Sequence, residues 1–100
     1  MEILKPYRAR IDALDDQIVD LLVQRIGIVD EVVQVKVAQD IPAVLPDRVA
    51  EVIERTSRRA AEKGLDAGMV RDLYTQIVAY CCERESEKIK SARRDLSRAG

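Results

Sequence analysis

From Ile11 onward, Leu14, Ile18, Leu21, Leu22, Ile28, Val29, Val32, Val33 and Val35 recur at helical spacing. Ile11, Ile18 and Val32 alternate with Leu14, Leu21, Ile28 and Val35 at a period of 3.5, the spacing of a helix that lies alongside another. The pattern predicts a first helix from Lys5 or Pro6 to Ala38. Two cations interrupt it: Arg25 takes a slot that an apolar residue should fill, and Lys36 closes the run. At about 100° per residue, eleven steps bring Lys36 back to within roughly 20° of Arg25, so both sit on the inward face. Buried like charges are unfavourable without partners, so acidic side chains or an anionic ligand must neutralise them.

Pro42 and Pro46 bracket a short connection from Asp40 to Leu45, because proline lacks a backbone donor and restricts the residue before it. A second helix is predicted from Pro46 through Val49, Val52 and Ile53 to Lys63, where Gly64 stops it. Asp66 then caps a third helix that carries Val70, Leu73, Tyr74, Ile77, Val78 and Cys81 on one face and ends near Arg94. The tail from 94 to 100 is expected to fray. The fold class is therefore all-α, one domain over residues 1–100 with a long, a short and a long helix. A first helix of about 33 residues would be ~50 Å long, whereas a compact 100-residue chain has a radius of gyration near 13 Å. With three aromatic residues and no Phe or Trp, a monomer could not cover that stripe. An intertwined homodimer with adjacent first helices is expected.

Composition narrows the chemistry. The chain is 47% apolar and 35% charged, with a formal charge of −1, which gives no sequence-wide attraction to nucleic acid or anionic lipid. No apolar run approaches the roughly 18 residues of a membrane span, and the start lacks the apolar core of a signal peptide, so a cytoplasmic protein is expected. There is no His, which removes the usual general base and nitrogen ligand. Cys81 and Cys82 are adjacent, poorly placed to bridge each other, and nothing completes a zinc set. No metal or cofactor is expected, and an enzyme built from these residues should need little proton transfer.

Glu85 follows Ile77 and Cys81 at four-residue steps, which turns a carboxyl group inward. It either pairs with Arg25 or Lys36, lies where the helix has become exposed, or converges with Lys36 on a ligand, kept protonated by burial so that it donates a hydrogen bond. Arg48, in the first turn of helix two, is either a solvated charge beside Asp47 and Glu51 or a lid over an anion aided by the helix dipole. Arg8 lies about 25 Å along the helix from Arg25 and points roughly 100° away. If Arg8 serves the same site, a second subunit supplies it. Arg55, Arg58, Arg59, Glu62 and Lys63 read as a solvated face.

The run from Arg8 to Asp15 (R-x-x-I-D-x-L-D), then Arg25, Lys36, the proline-bracketed loop and Arg48, resembles the all-helical chorismate mutase family. Gly64-Leu65-Asp66-Ala67 followed by Leu73-Tyr74 and Ile77 is similar to that family's turn into its third helix. The resemblance implies an intertwined homodimer with two sites, each completed by Arg8 of the partner, and a small substrate with two carboxylates. It implies that Arg8, Arg25, Lys36, Arg48, Val49, Cys81 and Glu85 bind substrate, with Lys36 and Glu85 facing the ether oxygen of the breaking bond. The implied reaction is the pericyclic conversion of chorismate to prephenate, without cofactor, metal or covalent intermediate.

Two positions depart from the family pattern. Family mutases commonly carry Gln at the position of Glu85, and many place at Val49 a Glu that accepts from the substrate's ring hydroxyl. An apolar Val49, with Ile41-Pro42-Ala43 and Pro46-Asp47-Arg48-Val49-Ala50, also resembles the related isochorismate pyruvate lyases. A non-catalytic helical interaction module would explain the 3.5-residue period, but gives no reason for inward Arg25, Lys36 and Glu85.

Overall fold

A computed structural model describes residues 1–99. A 3₁₀ turn, Glu2–Leu4, runs into α1 (Lys5–Gln39), followed by α2 (Pro46–Glu62) and α3 (Ala67–Ala99). No strand occurs among the described residues, and no helix is long and apolar enough to cross a membrane.

Local chemistry sets the helix ends. Asp40 closes α1 in the left-handed region, at φ 54° and ψ 44°, and the Ile41 N–H returns to the Lys36 carbonyl at 2.8 Å. Pro46 opens α2 in its first turn, where its missing N–H breaks no helical bond. Gly64 leaves α2 at φ +78°, while the Gly64 and Leu65 N–H groups donate to the Ala61 and Ala60 carbonyls at 3.1 and 2.9 Å. This pair of bonds is the Schellman closure, which needs a left-handed residue at that point. Asp66 then caps α3, its Oδ1 accepting from the N–H groups of Gly68 (2.8 Å) and Met69 (3.1 Å).

The third helix differs from its predicted end near Arg94. It continues through Ala99, so the part of the expected frayed tail from 94 to 99 is helical, and Gly100 lies outside the described residues. No Gly or Pro interrupts residues 69–99, Ile89 is the most deeply buried apolar side chain of the core, and Arg93 Nη2 donates to Asp40 Oδ1 at 3.2 Å. These contacts hold α3 up to its expected end, and the uninterrupted helical sequence carries it on.

α3 packs against both other helices. The ties from Arg25 to Cys81, Arg84 to Asp30 and Lys36 to Glu85 run in the same order along both helices, so α1 and α3 are parallel. The core is narrow: Val33, Val52, Ala60, Val70, Val78, Cys81 and Ile89 fill it, and no large side chain among the described residues is completely buried. The chain measures 65 × 28 × 15 Å with a radius of gyration of 18.0 Å, against about 13 Å for a compact chain of this size. Ile11, Leu14, Ile18 and Leu21 are each more than half exposed. An uncovered apolar row of that length is far beyond the scattered hydrophobics of an ordinary surface.

Candidate active site

The cleft forms where all three helices and the α1–α2 connection meet. Successive turns of α1 present Arg25, Val29, Val32 and Lys36; α3 presents Cys81 and Glu85; the start of α2 adds Arg48, Val49 and Val52. The volume is about 290 Å³, at the small end of the range for small-molecule sites, roughly 300–1,000 Å³. Ala43 and Leu45 of the connection form one edge.

Lys36 is the most constrained cation. Its Nζ donates to Glu85 Oε1 at 2.8 Å and to the Ala43 carbonyl at 2.7 Å, and Lys36 and Glu85 are each only 8% exposed. Of the alternatives for Glu85, the ion pair with Lys36 is therefore realised. Charged groups this buried are tolerated because each has a charge-assisted partner. Arg25 is different: its Nη1 donates to Cys81 Sγ at 3.3 Å, and no carboxylate pairs with it among the described residues. A half-buried guanidinium facing a weak thiol acceptor is short of negative charge, which makes it a ready anion site.

Arg48 lines the cleft but turns its guanidinium to Glu51, Nη1 to Oε1 at 2.6 Å, with both side chains about 60% exposed. An exposed pair three residues apart contributes little and is readily exchanged for another anion. Val49 stands in the apolar wall. Thus Arg25, Lys36, Arg48, Val49, Cys81 and Glu85 share one cleft. Arg8 does not join them; it is exposed on α1, seventeen residues, or about 25 Å, from Arg25.

Two features of the site have little or no signature in the sequence. The Ala43 carbonyl acts as a polar group of the site, and a backbone acceptor carries no side-chain signal. Asp30 and Arg84 form a fork between α1 and α3, with Nε to Oδ1 at 2.8 Å and Nη2 to Oδ2 at 2.9 Å; their one signal is a pair of opposite charges on the shoulders of two apolar stripes. The Arg84 hydrogen bond holds the Asp30 carboxyl below its usual range. Burial first, and the Glu85 charge second, push the Cys82 thiol up. Between α2 and α3, Arg71 holds the Glu54 carboxyl low in the same way, with Arg58 assisting. No group of three or more Cys, Asp or Glu side chains among the described residues is arranged to hold a metal ion.

The family model described as chorismate mutase type II matches residues 7–86. The 4-amino-4-deoxychorismate mutase of Streptomyces pristinaespiralis is 34% identical over 88 residues, covering 88% of this chain and 68% of the relative. The protein of the same name from Streptomyces venezuelae is 34% identical over 82 residues, 82% of this chain and 80% of the relative. The isochorismate pyruvate lyase of Pseudomonas aeruginosa is 38% identical over 78 residues, 77% of this chain and 75% of the relative. No solved structure matches the chain with comparable significance.

Proposed function

From the premise that the chain belongs to the chorismate mutase type II family, we propose that it rearranges chorismate to prephenate in a cleft completed by a second copy of the chain. The observation that carries this reading is the convergence of Arg25, Lys36, Arg48 and Glu85 on one small apolar-walled cleft, with Arg25 lacking a carboxylate partner among the described residues. A dicarboxylate supplies what the cleft is short of. Arg25 takes one carboxylate directly, Arg48 exchanges Glu51 for a substrate oxygen, and Arg8 of the second copy closes the site.

The chemistry needs little more. As the ether C–O bond breaks and the new C–C bond forms within one molecule, negative charge grows on the ether oxygen. The Lys36 ammonium, already fixed by two acceptors, stabilises that charge more than it stabilises the ground state. The arginines hold the flexible enol-pyruvyl arm folded over the ring, which removes most of the entropic cost of reaching the reactive conformation. Glu85 orients Lys36 through the hydrogen bond that it accepts from Nζ.

The second copy is supported by the apolar row on α1, which a single chain leaves in water. Antiparallel first helices would cover it and bring Arg8 of one chain toward Arg25 of the other.

Val49 favours a second reading. It offers no acceptor to a ring hydroxyl, and the resemblance of this region to isochorismate pyruvate lyases, one of which is 38% identical, points to elimination of pyruvate from isochorismate. The names of the two Streptomyces relatives add 4-amino-4-deoxychorismate as a third substrate for the same rearrangement. Incubation with each of the three substrates, with identification of products, tests the reading. Prephenate from chorismate is the expected result; salicylate and pyruvate from isochorismate alone would replace it with the lyase, and turnover of the 4-amino compound alone would move the substrate by one ring substituent.

A further inference from the structure

Among the side-chain cations that meet partners across the α1–α3 seam are Arg25 at Cys81, Lys36 at Glu85, and Arg84 at Asp30. The first two line the cleft. The third lies outside its lining. Asp30 sits on α1 between Arg25 and Lys36, and Arg84 sits on α3 between Cys81 and Glu85. We propose that Asp30 and Arg84 are positioning residues for the reaction, their forked ion pair holding α3 in register against α1 while Arg25 and Lys36 turn to the substrate. This inference rests on the cleft being the site of the rearrangement.

Three observations support it. Both fork bonds are short and use both carboxylate oxygens, so the pair fixes direction as well as distance. Both side chains are 32% exposed, which shields them better than the open pair of Arg48 and Glu51. The pair also has company: the Lys88 ammonium is 3.9 Å from the same Asp30 oxygen, and the Tyr80 hydroxyl is 3.5 Å from Arg84 Nη1. Asp30 and Arg84 stand one turn beyond Ile26 and Tyr80, which line a second groove of about 250 Å³ that shares Cys81 with the cleft. A slip of the seam at this point would therefore move Cys81 and Glu85 together. A misplacement of about 1 Å can lower a rate by roughly a hundredfold.

The test compares Asp30→Asn, Arg84→Gln, Arg84→Lys and the Asp30→Asn/Arg84→Gln double variant with wild type. Steady-state kinetics use whichever of the three substrates the wild type turns over, and amide hydrogen exchange is followed over residues 25–36 and 81–89 without ligand. Each single variant is expected to lower kcat by about fivefold or more while KM stays within about twofold, because alignment suffers and carboxylate binding does not. Arg84→Lys keeps the charge, loses the fork, and is expected to be impaired as well. The double variant should be no worse than the poorer single one, since the two residues act as a unit, and exchange over 81–89 should quicken in all four. Unchanged kcat, or losses that multiply in the double variant, would overturn the proposal. If the wild type turns over none of the substrates, the functional reading fails, and exchange over 81–89 still decides: unchanged protection in Asp30→Asn sinks the positioning role.

Discussion

Arg25 is the side chain on which the anion site depends most. Its guanidinium is half-buried against a thiol, so Arg25→Ala should remove a substrate contact without leaving an acid unpaired. Activity is expected to fall by about two to three decades, with the fold retained by circular dichroism. Arg25→Lys should not restore it, because an ammonium cannot grip a carboxylate with two parallel bonds. Cys82 gives a second check: burial and the nearby Glu85 raise its pKa, so alkylation at neutral pH should be slower than for a free thiol, and a bound dicarboxylate should slow it further. Asp30 gives the acid limb of stability. Its folded-state pKa lies below the ordinary 3.8, so its contribution is present above that value and is lost as pH falls through the folded pKa. Thermal melts below pH 4 should show wild type losing stability more steeply than Asp30→Asn. These residues are unequally legible in the sequence. Arg25 and Lys36 are visible because each breaks an apolar stripe, whereas the pairing of Glu85 with Lys36 rather than Arg25 depends on how α3 slides along α1, which no single-chain periodicity specifies.

At the level of elements, the proline and glycine positions decide most of the outcome. Pro46 opens α2 as its chemistry requires, and Gly64 closes it in the left-handed region. A Cβ at Gly64 would meet nothing within 4 Å, so Gly64→Ala isolates the backbone effect: a loss of about 1 kcal/mol is expected in urea unfolding, and an unchanged midpoint would contradict the Schellman closure. The end of α3 is harder to foresee. Charged residues after Arg94 read as a tail, yet α3 continues through Ala99, beyond the buried Ile89 and the Arg93 contact with Asp40, along a stretch that no Gly or Pro interrupts. The α1–α2 connection shows the same limit, since its two prolines announce a loop but not that the Ala43 carbonyl holds Lys36.

For the whole molecule, the 65 Å length and the exposed row from Ile11 to Leu21 are the features a single chain leaves unexplained. The heptad-like spacing of α1 makes that row legible in the sequence, and the proposed second copy gives it a partner. Ile18→Asp would place a charge in the middle of such an interface; a monomeric or unfolded chain by sedimentation is expected, and a dimer of unchanged melting temperature would exclude the row from the contact. The shared cleft itself is tested by pairing two disabled chains. Arg8→Ala and Arg25→Ala chains, each nearly inactive alone, are co-expressed with different tags and assayed together. A mixed dimer then carries one doubly altered site and one intact site, so random pairing should leave about one quarter of all sites intact and restore activity in that proportion. Activity no greater than the sum of the two parents would contradict a cleft built from both chains.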